Sequence, residues 1–191
     1  MIRETAPTRD GIAYIVEHMR ERDRAEIMAL RWDNDLNNFA MDVCCYAGAT
    51  WRMWERNGVP VAIGGVTPVR PGVVQAGAFG TPDWKYAARH IIAWGRNWMI
   101  PRLIAANFHR AEAYALASNT DSRRFIEALG GEIETPLHHY GREREDYILY
   151  LWRLDDVHRW RRRGQQRSVE TGALGQRETG GGRSRPTARS H

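Results

Sequence analysis

The chain has 191 residues, 42% of them hydrophobic and 10% aromatic, enough for one domain with a single core that at this size buries about 70% of its unfolded surface. Its two cysteines are adjacent, at Cys44 and Cys45, and no long apolar run or charged-then-apolar leader opens it. A disulfide scaffold is therefore excluded, and the sequence reads as a protein of a reducing compartment, without secretion signal or membrane span. The net charge of +5 is held unevenly: residues 157–191 carry nine Arg against two Glu, a net of +7, which leaves −2 for the remainder.

In chain order, Ile2 to Ala6 alternates like a short edge strand. Pro7-Thr8-Arg9-Asp10 opens a helix with apolar positions Ile12, Ile15, Val16 and Met19, and Ile27 and Leu30 further on. Arg20 to Arg24 reads as a solvated charge run. Asp33, Asp35 and Asn37 have the spacing of the first ligands of a calcium loop, but Asn38 stands where the turn needs Gly and Cys44 where a bidentate Glu is required. Helix capping is the better reading, and no metal site is assigned. Cys44 and Cys45 sit on a helical, largely apolar segment and need no reactive role.

Thr50 to Arg56 alternates as a strand should, Asn57-Gly58 is a strong hairpin signal, and Val59 to Val66 returns as a mostly apolar strand. Pro68 to Gly72 predicts a turn and Val73 to Phe79 a third strand of the meander. Thr81, Pro82 and Asp83 predict a helix start, and Trp84, Ala87, Ala88, Ile91, Ile92, Gly95 and Trp98 share its apolar face, with an end or kink before Pro101. Ala111 to Ser118 is an apolar strand. Asn119 or Thr120 caps a short helix carrying Arg124-Phe125 and Leu129, and Gly130-Gly131 ends it before a strand from Glu132 to Glu134. A polar insertion to Asp146 and a buried strand from Tyr147 to Leu154 complete the body.

This order resembles the GCN5-related N-acetyltransferase (GNAT) superfamily across residues 1–156. Pro60 to Gly65, Thr81 to Trp84, Asn119-Thr120, Arg124-Phe125-Ile126 and Leu129-Gly130 are further similar to the acetyltransferase-like internal virion proteins of short-tailed bacteriophages. The resemblance implies a mixed α/β single domain, 1–156, with a central mixed, mostly antiparallel sheet flanked by helices. An Arg-rich flexible tail, 157–191, lies outside it. It also implies a strand before Asn119 that splays from its neighbour to admit the pantetheine arm of acetyl-CoA, and a Tyr that protonates the departing thiolate. That Tyr position holds Ile126, a loss of roughly 100- to 10,000-fold if nothing replaced it.

The pyrophosphate cradle of the family corresponds to Gly77 to Asp83, where Pro82 lacks an N–H and Asp83 places negative charge where phosphate would lie. The strands expected to supply a base offer only Gln75, and Glu55 reads as a surface charge. Tyr114, Tyr140 and Tyr147 are substitute acids, the first and last reading better as core or interface aromatics. His109, His138 and His139 read as surface loop residues, the adjacent pair pointing to opposite faces of a strand-like segment. No catalytic residue is assigned. A vestigial CoA cleft is placed at Ala78, Phe79, Gly80, Asn119 and Arg124, with Asn119 either a helix cap or a retained ligand contact.

The favoured function is thus a catalytically degenerate virion component, structural or ejection-related, found in the virion or host cytoplasm and needing no cofactor. The alternative is an active acetyl-CoA-dependent N-acyltransferase modifying a host protein or small amine. Other virion proteins are the expected partners, docking through Arg159, Trp160, Arg161, Arg162 and Arg163, with non-specific nucleic-acid contact through the Arg tail and a homo-oligomer as further readings.

Overall fold

A computed structural model describes residues 1–154, and the tail residues Arg159 to Arg163 lie outside them. Seven strands form one sheet in the order β1-β2-β3-β4-β5-β7-β6. They are β1 (Ile2–Thr5), β2 (Trp51–Arg56), β3 (Val59–Arg70), β4 (Val73–Gly80), β5 (Arg110–Leu116), β6 (Glu132–Leu137) and β7 (Tyr147–Arg153). Every neighbouring pair is antiparallel except β4 with β5.

The hairpin joining β2 and β3 forms where Asn57-Gly58 indicates it, because both residues take positive φ, 52° and 83°, as a tight turn matched to strand twist requires. Helices cover both faces of the sheet. On one, α1 (Arg9–Glu17) and α3 (Leu36–Tyr46) lay Ile12, Ile15, Val16, Phe39 and Val43 against Met53, Ile63 and Phe79. On the other, α4 (Trp84–Trp94) lays Trp84, Ala87 and Ile91 against Trp54, Val61 and Ala62. Covered on both sides, β3 is buried continuously from Val61 to Val66, which is why it reads as an unbroken apolar run.

The cap chemistry is local and follows the sequence. Thr8 accepts from the Gly11 N–H to start α1, and Asp35 accepts from the Asn37 and Asn38 N–H groups to start α3, the capping role preferred over calcium. Asn119 accepts from the Ser122 N–H to start α6 (Thr120–Leu129), and Gly130 ends it at φ 96° in the left-handed region.

Four expectations need correction. The first helical stretch is two helices, α1 and α2 (Glu21–Met28), broken at Arg20, whose backbone N–H donates to the Gly80 carbonyl at 2.9 Å. The run Arg20 to Arg24 is not wholly solvated, since Asp23 is 5% exposed. Strand β3 continues through Pro68 to Arg70, a register shift between Pro68 and Arg70 accommodating the missing donor, so the turn begins only after Arg70. Helix α4 begins at Trp84, two residues after Pro82. Thr81 nevertheless organises its start, its hydroxyl accepting from the Asp83 N–H and its carbonyl from the Trp84 N–H. The kink near Pro101 is a π-helical turn, Gly95–Met99, that passes into α5 (Ile100–Ala105).

Candidate functional site

The one parallel pair is short. Strands β4 and β5 bond to each other only from Val73 to Gln75 against Arg110 to Glu112, while β4 runs on to Gly80 paired with β3 alone and β5 to Leu116 paired with β7 alone. The two strands therefore part at their C-terminal ends. Small residues keep the gap open, with Ala76, Gly77 and Ala78 on one side and Ala111 and Ala113 on the other, and a cavity of about 440 Å³ lies there.

Helix α2 spans the mouth of this opening. At the β4 end, Asp23 accepts from the Gly80 N–H at 2.9 Å and holds Arg20 through a bidentate contact with distances of 2.7 and 3.1 Å. At the β5 end, Glu26 accepts from the Leu116 N–H at 3.0 Å, the Asn119 side-chain amide at 2.9 Å and the Ser122 hydroxyl at 3.0 Å. Tyr147 donates its hydroxyl to the Glu26 carbonyl at 2.6 Å, and Arg22 pairs with Asp121 on α6. Asp23 and Glu26 stand three residues apart, so one face of α2 presents both carboxylates. Burial raises both acids. Glu26 is pushed up to about 7 against the opposing pull of the hydrogen bonds from Leu116, Ser122 and Asn119, and Asp23 is raised by burial in spite of Arg20.

The helix start at the end of β4 is satisfied by the chain itself. Gly80 gives its N–H to Asp23, Thr81 to the Val61 carbonyl, Asp83 to the Thr81 hydroxyl and Trp84 to the Thr81 carbonyl, and Pro82 has none to give. The Asp83 carboxylate is met by Arg56 at 2.9 Å. Beside it Trp84 packs edge-on against Phe125 of α6, ring centroids 4.9 Å apart, and the Arg20 guanidinium lies over the Trp84 ring at 4.7 Å. These residues do not fit a pyrophosphate group, whose binding needs free amides.

A Cβ added at Gly80 would lie 2.5 Å from the Val61 carbonyl oxygen and 3.2 Å from the Ala62 Cα, both backbone. Gly80→Ala is accordingly expected to cost about 1–3 kcal/mol in urea unfolding. A neutral result would mean that this strand end is not clamped.

Of the residues placed in a cofactor cleft from the sequence, Ala78 and Phe79 line the cavity, Phe79 also packing on Phe39 with centroids 5.2 Å apart. Gly80 and Asn119 meet α2 at opposite ends of the opening. Arg124 is exposed on α6 and does not line the cavity. Asn119 is both a cap and a polar contact, its amide donating to Glu26.

Ile126, at the position of the acid, is buried in the cavity wall. Glu55 pairs with Arg3 at 2.7 Å. Tyr114 lines the cavity and donates to Glu112 at 3.3 Å, burial pushing its hydroxyl up to about 12. Tyr147 is fully buried, and burial raises it as well. Tyr140 is exposed and stacks on Tyr114. His109 is exposed, and His138 pairs with Asp146 at 3.1 Å.

Sequence reasoning missed Asp23 and Glu26, although their spacing within α2 was a usable signal. It also passed over Glu112, a lone acid in an apolar strand. Glu112 is 2% exposed and accepts from Arg70 and Arg110, each at 2.6 Å. No cluster of three or more His, Cys, Asp or Glu among the described residues could hold a metal ion, and no helix among them is long and apolar enough to cross a membrane.

No family profile and no curated protein matches the sequence. Solved structures do match it in fold. An N-acetyltransferase from Staphylococcus aureus Mu50 superposes with a TM-score of 0.62 at 12% identity, over 81% of this chain and 99% of that one. The GNAT-family acetyltransferase from Bacillus anthracis gives 0.57 at 18%, over 81% and 96%. The yncA protein of Salmonella typhimurium, solved with its cofactor acetyl-CoA, gives 0.54 at 17%, over 81% and 95%.

Proposed function

We propose that this chain, whose fold is that of the GNAT acetyltransferases, does not carry out acetyl-CoA-dependent transfer and works instead through binding, as a virion-associated component. The virion setting rests on the sequence resemblance. The loss of transfer is supported above all by one observation: the amides at the start of α4 are already bonded within the chain, the Gly80 N–H to an internal carboxylate. A phosphate arriving there would have to displace Asp23, meet the Asp83 charge and find no donor at Pro82.

Isothermal titration of the full chain with acetyl-CoA is expected to give no binding tighter than millimolar, and no acetylated product with a mixture of peptide and small amines. Micromolar binding together with transfer that a block at Gly80 abolishes would overturn the reading.

Glu26 supports a second reading, an active N-acyltransferase. A carboxylate raised to about 7 beside a cavity suits a general base for an amine. Its three hydrogen bonds tie it to β5 and α6, so this role would require α2 to move off the opening.

A further inference from the structure

We infer that the outward face of α4, the π-helical turn and α5 is a docking surface for the phosphate backbone of duplex nucleic acid, engaged without regard to sequence. The surface belongs to the folded body rather than to the Arg-rich tail, and it does not depend on whether acyl transfer has been lost.

The charge pattern is the first argument. From Trp84 to Ala111 the chain places no Asp or Glu in 28 residues, although it holds 23 of them elsewhere, and the same stretch carries Lys85, Arg89, Arg96, Arg102 and Arg110. Folded surfaces ordinarily intersperse both signs, and a face of one sign is a field that draws a partner of the other. The fold turns this stretch into such a face. Trp84, Ala87, Ile91, Gly95, Met99 and Leu103 are buried toward the sheet, whereas Lys85, Tyr86, Arg89, Asn97 and Arg102 are exposed. At the usual helical rise the face from Trp84 to Ala105 runs roughly 30 Å.

The second argument is that its cations are not used within the body. Arg110 is engaged by Glu112 and Glu134, and Arg96 by the Ala128 carbonyl. Lys85, Arg89 and Arg102 pair with no carboxylate among the described residues. Two acids from neighbouring elements border the face, and both are neutralised, Asp83 by Arg56 at 2.9 Å and Glu4 by Arg52 at 3.2 Å. Aromatic rings hold the guanidinium groups in place: Arg102 and Arg52 lie over Trp98 at 3.9 and 4.9 Å, and Arg56 over Tyr86 at 3.8 Å. A stacked guanidinium is pre-organised and keeps its N–H edge for phosphate oxygens. With the rings engaged in this way, contact falls to phosphates, which carry no sequence information.

The third argument selects nucleic acid over an acidic protein. The described chain ends at Leu154, whose N–H donates at 2.9 Å to the carbonyl of His109, near the close of the acid-free stretch. Residues 157–191, with nine Arg against two Glu, follow Leu154 in sequence. A second cationic segment is thus tethered close to where the first one ends. Protein surfaces mix their charges over short distances. A duplex carries one negative charge per roughly 1.7 Å along its whole length, and so matches a cationic path that continues beyond one face.

The test follows the fluorescence anisotropy of a labelled DNA duplex of mixed sequence, titrated with the full chain across a series of NaCl concentrations. Binding is expected to weaken with salt and to be equal for a second duplex of different sequence. The triple variant Lys85→Ala, Arg89→Ala, Arg102→Ala keeps the tail, yet it should make the log–log salt dependence shallower by roughly 2 to 3 and weaken binding tenfold or more, as the loss of that many phosphate contacts requires. Ala93→Glu puts an acid in the middle of the exposed face without removing any cation. It should weaken binding too, and it keeps the test decisive where circular dichroism finds the triple variant unfolded. Absence of duplex binding, or an affinity and salt dependence unchanged in the folded variants, would overturn the surface. Tighter binding of poly-L-glutamate than of the duplex at equal charge would overturn the nucleic-acid assignment in favour of an acidic protein, and self-association abolished by the triple variant, with no duplex bound, would do so in favour of a second copy of the chain.

Discussion

Glu26→Gln is expected to raise the melting temperature by roughly 6–12 °C at pH 8 and to leave it nearly unchanged near pH 4.5. The folded protein holds Glu26 at about 7 against an ordinary 4.5, with burial the main cause. Between those values the folded state binds a proton that the unfolded chain has released. Stability contributed by this group is therefore fully present below about 4.5 and lost as the pH rises through about 7, by about 3 kcal/mol over the window. Glutamine removes the titration and fits the same partners. Its carbonyl can accept from the Leu116 N–H and the Asn119 amide, which share one oxygen of Glu26, and its amide can donate to the Ser122 hydroxyl. Asp23 is raised in the same direction and keeps its own contribution to the fall of stability with pH in the variant. Thermal unfolding followed by circular dichroism at the two pH values reads the effect. A shift of equal size at both, or a loss at pH 8, would show that Glu26 is not strained in its charged form.

The features legible in the sequence are those whose physics is local. Asn57-Gly58 specifies its turn through two residues tolerant of positive φ, Thr8 and Asn119 announce helix starts through side-chain oxygens, and Gly130 marks an end. Pro101 marks the break that the π-helical turn absorbs. The carboxylates that close the opening are legible only in part. Their spacing sets them on one face of α2, but nothing near them names their partners, since Gly80 lies 57 residues beyond Asp23 and Leu116 90 residues beyond Glu26. A sequence ERDRAEIM, charged at five of eight positions, looks solvated until the sheet supplies two backbone donors for it to bury against. The cavity is hidden for the opposite reason. Ala76, Gly77, Ala111 and Ala113 are unremarkable strand residues one by one, and only the parting of β4 from β5 turns their smallness into space.

Asp23→Ala is expected to lower stability by about 3 kcal/mol and to gain no affinity for acetyl-CoA. The loss follows from what the carboxylate leaves behind. Its removal strands a buried Gly80 N–H and frees Arg20, whose side chain is 21% exposed and lies over Trp84. Breaking a buried pair from one side costs about 3–5 kcal/mol, and the partial exposure of Arg20 places this case at the lower end. Asp23→Asn should cost less, about 1–2 kcal/mol, because the amide oxygen can still accept from Gly80 while the ion pair is lost. Urea unfolding of the two variants separates these contributions, and equal losses would mean that the Gly80 contact carries no energy of its own. The same variant decides what kind of closure α2 makes. Were Asp23 merely masking an intact cradle, Asp23→Ala would expose it and acetyl-CoA would bind. One amide does not make a cradle, however, since Pro82 still lacks a donor, the Thr81 and Asp83 N–H groups still bond to Val61 and Thr81, and Asp83 keeps its charge. Titration of folded Asp23→Ala with acetyl-CoA should therefore remain silent, and micromolar binding would convert the closure from a loss of function into a latch on one.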